Sequence, residues 1–416
     1  MSALLEYPTG TIELEVDMLI GSSSSSWDNA AFDFAQWGTE VAGAWVDVTC
    51  DISELTVTAG ADKPDGLVTA LNGTTGGITL HGSQYNPWAP PWGRNVLGPA
   101  VPVRVLWRHA GAATWSTAFT GVTDGWPYDR DAAIAAVPVL DATGGLANLD
   151  LATLAAPVGQ HETLTARMNR ILDAATWSTG LRALSPDGRT VISTDLGAAA
   201  WDMLQTAADT GLGLLWIKRT GEVAYLPVGQ AGGWTPHLRP EKLTDTDTGD
   251  PAELCVANFT NSDPEVVRNI VTVSRSADDL VDGDTPAPAT AEDPTSVTRY
   301  GPHTYNRTDL IHDTDSWSST VAAAVLMDSA WPLLHPESAD LDIRIDTRVA
   351  DLLLGAEIGD VITVIDSGQT FECAVVGWSF DLNSKHLTGT LTLSDVTRWV
   401  GYGWDMAGWD KATWGV

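Results

Sequence analysis

Two stretches far apart in the chain alternate apolar and polar residues without interruption. TIELEVDML puts Ile12, Leu14, Val16 and Met18 on one side and Glu13, Glu15 and Asp17 on the other. ADLDIRIDT repeats the pattern with Leu341, Ile343 and Ile345. A period of two is that of a strand with one buried face, and a one-residue slip would turn every apolar side chain to water. The alternation therefore calls for half-buried antiparallel sheets near both ends of the chain, and against βαβ units.

Further strands are expected around Trp45–Val48, Leu55–Thr58 and Gly77–Leu80. YNPWAPPWGRNVLGP excludes a helix or a central strand, because Pro87, Pro90, Pro91 and Pro99 fix φ and lack a donor. VPVRVLWRH and WSTAFTGVTDGW read as strands joined near Gly111, and AAIAAVPVLDA closes a first β-rich unit. The pattern then lengthens. TLTARMNRILDAATW places Leu164, Met168, Ile171, Leu172 and Ala175 on one helical face, and LGAAAWDMLQTAADTG does so with Ala200, Met203, Leu204, Ala207 and Ala208. Gly211 is expected as the glycine that ends this second helix. LGLLWIKRTGEVAYLPV reads as a hairpin turning at Thr220–Gly221. Strands then return: VVRNIVTVSRS, GDVITVI, TFECAVVGWSF and HLTGTLTLSDV, with SVTRYG leading out of the acidic loop after the first. A helix at DSWSSTVAAAVLMDSAWP interrupts them, with Asp315 or Ser316 as its expected N-cap.

The fold class that follows is β-rich α+β, with two small antiparallel β-barrel domains separated by an α+β domain. The expected boundaries are 1–142 for a first barrel-like domain, with a Ser/Trp-rich insertion at 21–40, and 143–240 for the α+β domain. A second barrel-like domain covers 241–400, with an acidic loop at 276–296 and a helix at 316–331. A Trp-rich tag covers 401–416. A length of 416 residues suits several domains.

The net charge of −32 excludes stable nucleic-acid binding through phosphates, which needs basic surface. No run of apolar residues is long enough for a membrane helix, and the N-terminal residues show no secretory signal. Cys50, Cys255 and Cys373 are too dispersed for a disulfide framework or a zinc site and are expected as buried small apolar residues.

Motifs for chemistry are missing or fail on inspection. No nucleophile elbow, zinc-protease helix, Walker A or dinucleotide glycine motif occurs. TDTDTGD (Thr244–Asp250) has a glycine where a calcium loop needs its third acid, and Val256 where it needs glutamate. His312–Asp315 and His161–Glu162 each precede a helix and read as capping residues rather than metal ligands. No catalytic residue, metal or cofactor is expected.

One pattern is left over. Trp27, Phe32 and Trp37 share the motif W-D-x-A-x-[WF]-D-x-A-x-W-G with Trp404, Trp409 and Trp414. A spacing of five is neither helical nor alternating. An Asp after an aromatic can close an Asx-turn, so the motif reads as short turns that each plant one aromatic. These six are candidate protein-docking residues. The other readings are a cover folded back on the chain's own barrel, and sugar binding.

The order of these features resembles the hub-type minor tail proteins of long-tailed bacteriophages, especially those of actinobacterial hosts. Four segments carry the resemblance: YNPWAPPWGRNVLGPAVPVRV with FTGVTDGWPYDRD; LTARMNRILDAATW; AAWDMLQTAADTGLGLLWIKRTGEVAYLP; and RNIVTVSRS through SVTRYGPHT and LLLGAEIGDVITV to VVGWSFDLNSKHLTGTLTLSD. It runs over residues 44–397, so both aromatic motifs are departures from it. The resemblance implies two related barrels with an α+β insertion, and three copies in a ring that joins the tail tube to the tip. It implies a virion location at the tail tip after synthesis in the host cytoplasm. The partners it implies are the chain itself as a homotrimer, a distal tail protein, the tape measure, and tip or receptor-binding proteins. The competing reading is a tail protein that binds or cleaves cell-wall glycan, suggested by 19 tryptophans against 6 phenylalanines and 7 tyrosines.

Overall fold

The computed structural model describes residues 12–21, 43–60, 72–89, 97–141, 146, 161–227, 237–246, 249–261, 267–277, 285–332, 335–346, 348–383 and 386–396. The first group of strands comprises β1 (Ile12–Gly21), β2 (Gly43–Asp47), β3 (Ile52–Gly60), β4 (Asn72–His81), β5 (Pro102–His109), β6 (Ser116–Thr123), β7 (Tyr128–Asp129) and β8 (Ile134–Leu140). They pair antiparallel in the order β3-β4-β8-β6-β5-β1-β2, with β7 on β8. The alternation of β1 holds: Ile12, Leu14, Val16 and Met18 are buried. Asp17, on the opposite face, is buried as well, and Arg104 of the neighbouring β5 pairs with it at 2.8 Å. Gly111, with φ of +80°, makes the β5–β6 turn.

The middle section holds β9 (Glu162–Thr163), α1 (Leu164–Ala174), β10 (Arg182–Leu184), β11 (Thr190–Val191), α2 (Ala200–Thr210), β12 (Leu214–Ile217) and β13 (Val223–Leu226). Leu164, Met168, Ile171 and Leu172 of α1 pack with Ala200, Leu204, Ala207 and Ala208 of α2 in one core. The capping residue of α1 is Thr163, whose Oγ1 accepts from the Ala166 N–H. Glu162 does not cap; its carboxylate takes hydrogen bonds from Arg167 and Arg170. Gly211 follows α2 but keeps φ at −83°, and Leu212 is the residue at positive φ. Glycine is required at 211 for space. A Cβ there would lie 2.2 Å from the Tyr225 hydroxyl and 2.6 Å from Leu164 Cδ2.

The last section runs β14 (His237–Thr244), β15 (Glu253–Cys255), β16 (Asn258–Asn261), β17 (Ile270–Arg275), β18 (Ala289–Glu292), α3 (Pro294–Tyr300), β19 (Thr304–Leu310), α4 (Asp315–Ser329), β20 (Pro336–Asp342), α5 (Val349–Gly355), β21 (Asp360–Asp366), β22 (Gln369–Asn383) and β23 (Leu387–Asp395). Several expectations change here. The acidic loop is shorter than expected, because β18 pairs with β17. SVTRYG is helical: Asp293 caps α3 by accepting from the Thr295 and Ser296 N–H groups, with Pro294 in the first turn. Thr314, not Asp315 or Ser316, precedes α4, and it offers no side-chain cap. Asp315 instead accepts from Arg275 Nε and the Ala287 N–H. Leu341 and Ile343 are buried, but Ile345 is exposed, because the chain turns after β20 and Ile345 N–H reaches back to the Asp342 carbonyl. Of the cysteines, Cys373 lies in the core as expected, whereas Cys50 is exposed.

The ladders are mixed rather than purely antiparallel. β14 runs parallel to both β15 and β21, β17 parallel to β19, and β10 parallel to β13. A single fifteen-stranded sheet takes in both β-rich sections. Its splice is β22, which pairs with β21, β23 and β3, the last from Gly377↔Gly60 to Asn383↔Glu54. Gly60 sits at φ +82° at one end of this splice, where a Cβ would lie 2.3 Å from the Val376 carbonyl oxygen. The largest core follows the sheet, running from Ile12 to Val396 and taking in Leu214, Trp216 and Ala224 of the middle section.

Candidate functional site: an arginine junction between the β-rich sections

The β12–β13 hairpin carries Arg219 at its turn. The turn closes through Gly221, at φ +88°, whose N–H donates to the Lys218 carbonyl. A charged residue at a hairpin tip ordinarily projects into water. Here the tip is driven into the main core, because Leu214, Trp216 and Ala224 bury their side chains there, and Arg219 is left 4% exposed.

Its guanidinium is held almost entirely by carbonyls. Nε donates to Ala356 O at 2.9 Å, Nη2 to Leu353 O at 3.0 Å and Nη1 to Ala118 O at 2.9 Å. The first two acceptors lie at the C-terminal end of α5, where carbonyls lack helical partners and the dipole favours a cation. The third belongs to β6. The plane lies over the Trp378 ring of β22, 3.7 Å from its centroid, and Trp378 stacks on Phe380. The Arg219 N–H donates to Glu357 Oε2 at 3.1 Å. One residue of the middle section thus ties together β6 of the first section and α5 and β22 of the last.

Burial lowers the Arg219 pKa to about 10, so the side chain stays charged at neutral pH. Burial also raises the Glu357 carboxyl, against the pull of Arg219. Further contacts reinforce the joint. His109 at the end of β5 meets Asp351 of α5 at 2.8 Å. Arg239 of β14 reaches the Asp351 carbonyl and bonds Glu241.

The surface offers separate aromatic features. Arg104 lies over Trp45 and Arg108 over Trp115, each 4.2 Å from the ring centroid. These stacks stand on the outer face of β1 and β5, where Asp17 and Glu13 pair with the two arginines. Burial, and then the neighbouring Asp17 and Asp47 carboxylates, raise the pKa of Glu15 on the same face. Trp88 is 64% exposed in the proline-rich loop, where its N–H closes an Asx-turn on Asn86.

The six aromatics of the repeated motif, Trp27, Phe32, Trp37, Trp404, Trp409 and Trp414, lie outside the described residues. Gly21 and Gly43, the described residues on either side of the first motif, are cross-strand partners. In the acidic turn, Asp245 accepts from the Ser367 N–H and Asp250 from the Ala252 N–H. No group of three or more metal-ligating side chains forms among the described residues. The sequence does not disclose the junction, because KRTGE is an ordinary exposed turn by composition. The one available signal was the apolar run LLWI leading into it.

No family model matches the sequence, and no curated protein does. Solved structures match in fold. A tail protein from Neisseria meningitidis is 14% identical, with a TM-score of 0.57 over 94% of this chain and 98% of that one. The 43 kDa tail protein of prophage MuSo2 from Shewanella oneidensis is 12% identical, with a TM-score of 0.57 over 92% and 99%. A prophage tail protein, gp18, from Listeria monocytogenes is 12% identical, with a TM-score of 0.50 over 91% and 95%. The chain is β-rich with few helices and has the fold of prophage tail proteins. The likeness extends over nearly the whole of both partners.

Proposed function

We propose that the chain is a structural protein of a phage tail tip, forming a trimeric hub ring that joins the tail tube to distal tip proteins and lines the DNA exit path. The observation that carries this reading is the end-to-end likeness to tail proteins. The junction supports it. A ring that transmits load between tube and tip needs its sections fixed to each other, and Arg219 with the β3–β22 splice supplies that fixity. The net charge supports it too, since an acidic lining repels DNA and lets it pass. The partners are two further copies and the tail proteins above and below, with the six motif aromatics as docking residues. No catalytic role is assigned.

The test is the oligomeric mass and negative-stain image of the purified chain, with and without residues 401–416. The expected result is a threefold ring. If the ring needs the C-terminal motif, the motif is a clasp between subunits; if not, it points to another tail protein. A monomer that also fails to join purified tails would overturn the hub.

A further inference from the structure

The two β-rich sections repeat one strand order. The first runs β2-β1-β5-β6-β8-β4-β3 and the last β15-β14-β21-β22-β23-β20-β16, so the strands match one to one in chain order, with β7 prolonging β6 where β22 is one long strand. Only the direction of β14, reversed relative to β1, breaks the match. A sequence repeat falls on the same strands. FTGVTDGWPYD (119–129) crosses β6 and β7, and FECAVVGWSFD (371–381) lies in β22. Phe, Gly, Trp, a second aromatic and Asp stand at the same places in both. The registers agree. Phe119 pairs with Val105 as Phe371 pairs with Val364, and Tyr128 with Ala135 as Phe380 with Gly389. Across the next two strands, Val137, Ile78 and Leu55 line up as Leu391, Ala339 and Phe259 do.

The contacts of the repeat are not equally complete. The stretch Gly377–Leu382 of β22 takes β3 on one edge and β23 on the other. Its counterpart β7 has β8 on one edge and, among the described residues, no strand on the other. Likewise β3 lies between β4 and β22, whereas its counterpart β16 pairs with β20 alone among the described residues. Burial follows the pairing. Phe380 and Leu55, inside the splice, are buried, while Tyr128 and Phe259 at the same places are only half-buried. Trp126 and Tyr128 are fixed from within by hydrogen bonds to the Tyr85 and Gly82 carbonyls. A strand edge with open N–H and C=O groups is a template for another strand.

We propose that β16 of one copy pairs with β7 of the next, repeating between chains the β3–β22 splice made within the chain. The occupant of each open edge is a second copy, because the splice already matches the counterparts of these two edges to each other. Its register sets Tyr128 opposite Asn261 and Asp129 opposite Thr260, as Phe380 stands opposite Val57 and Asp381 opposite Thr56. The β16 sequence NFTN carries no charge, so Asp129 meets no like charge there. Pro127, where β22 has Ser379, offers no N–H, so the ladder begins at Tyr128. The contact joins unlike edges and is therefore heterologous, the kind that closes into a ring where the rotation permits. It deepens the hub reading and rests on copies associating as that reading requires.

The test is disulfide cross-linking of the full chain with Cys50→Ser and Cys255→Ser, Cys373 being buried in the core. Asp129→Cys and Thr260→Cys are made as separate chains, both at exposed positions. Opposite residues of an antiparallel pair have Cα atoms about 4.5–5.5 Å apart, a span that a disulfide bridges. The expected result is on the order of tenfold more linked dimer on mixing the two chains than from either alone, and none when Asp124→Cys replaces Asp129→Cys. Hydrogen exchange on the unaltered chain gives a second reading that needs no variant: the amides of β7 and β16 should slow on assembly. A threefold ring with neither the cross-link nor that protection would overturn the β7–β16 contact and leave the hub standing. The cross-link in dimers or open chains would keep the contact and overturn the ring. Equal cross-linking through Asp124→Cys would overturn the register and with it the proposal. A monomer that shows neither signal, alone or with purified tails, would overturn contact and hub together.

Discussion

Arg219 and Arg108 make the same contact in different surroundings. Each lays its guanidinium over an indole, at 3.7 Å for Arg219 on Trp378 and 4.2 Å for Arg108 on Trp115. Arg108 stands on the outer face of the sheet, its side chain 26% exposed, and a carboxylate, Glu13, balances it. Arg219 is enclosed, and its guanidinium is met by three carbonyls from two different sections of the chain. In water the free energy of such a stack is offset by hydration, and an exposed ion pair contributes little. In the core each carbonyl would otherwise be an unmet acceptor. The same side chain is therefore a surface ornament in one place and a joint in the other, and location decides which.

The largest effect should come from removing the joint. Arg219→Ala strands the carbonyls of Ala118, Leu353 and Ala356 in the core and opens space over Trp378. The expected loss is about 3–5 kcal/mol, read as a lowered midpoint in chemical denaturation. Arg219→Met keeps much of the packing on Trp378 and removes the donors. If the carbonyls dominate, it should fare nearly as badly as alanine; near wild-type stability would show that the packing mattered more. The second tie between the β-rich sections is the β3–β22 splice. Gly60→Ala forces a side chain to φ +82° and against the Val376 carbonyl, at an expected cost of about 2 kcal/mol or more. Gly111→Ala has a similar φ of +80° but open space around it, so it should cost less. The difference between the two isolates the splice from the backbone strain.

The comparison also shows what the sequence could disclose. Alternation found β1 and β20, and the helical period found α1 and α2, because their burial patterns are local and repeat several times. Alternation continues in the sequence through Ile345 after β20 has ended in the fold, so the pattern alone places that residue inward. The sequence marks Gly211 as a helix end, but glycine is needed there for room beside Tyr225 and Leu164, which lie distant in sequence. The seven residues of α5 are too few to show a period, and the parallel pairs of β14 leave no trace in composition. Arg219 was invisible for a related reason. Its partners come from residues 118, 353, 356 and 378, and nothing in KRTGE announces them. His312 reads from the sequence as part of a helix cap, and nothing there announces that it is buried, at 2% exposure.

Between the two arginines stands an intermediate case. Arg307 of β19 pairs with Asp209 at the end of α2, a joint held by a carboxylate but largely buried. Burial pushes the Asp209 pKa up to about 6, outweighing the pull of Arg307, from an ordinary value of 3.8. The folded state therefore holds the proton more tightly than the unfolded chain. Stability contributed by this group is fully present below the unfolded value and is lost as pH rises through about 6. Asp209→Asn removes this dependence. Relative to wild type, the variant should gain on the order of 1–2 kcal/mol between pH 4 and pH 7. The check is the difference in unfolding midpoint at the two values. His312 acts in the opposite sense over the same window. Burial lowers its pKa to about 4, so its contribution is lost as pH falls, and His312→Gln should steepen the net loss of stability from pH 4 to pH 7 while leaving the Asp209→Asn difference unchanged.

The smallest effect should be at Arg108. Arg108→Ala removes its stack on Trp115 and its pairing with Glu13. Glu13 keeps some contact with water, with 17% of its side chain exposed, so the carboxylate is not stranded as the carbonyls around Arg219 would be. The expected cost is about 0.5–1 kcal/mol, and high salt should reduce it further, because a partly exposed pair is screened. The decisive measurement is the midpoint shift of Arg108→Ala and Arg219→Ala at low and high salt. Carbonyl hydrogen bonds in a closed core feel little screening, so the Arg219 shift should persist while the Arg108 shift shrinks. Equal salt dependence at both positions would mean that charge, not enclosure, governs the two, and the distinction between ornament and joint would fail.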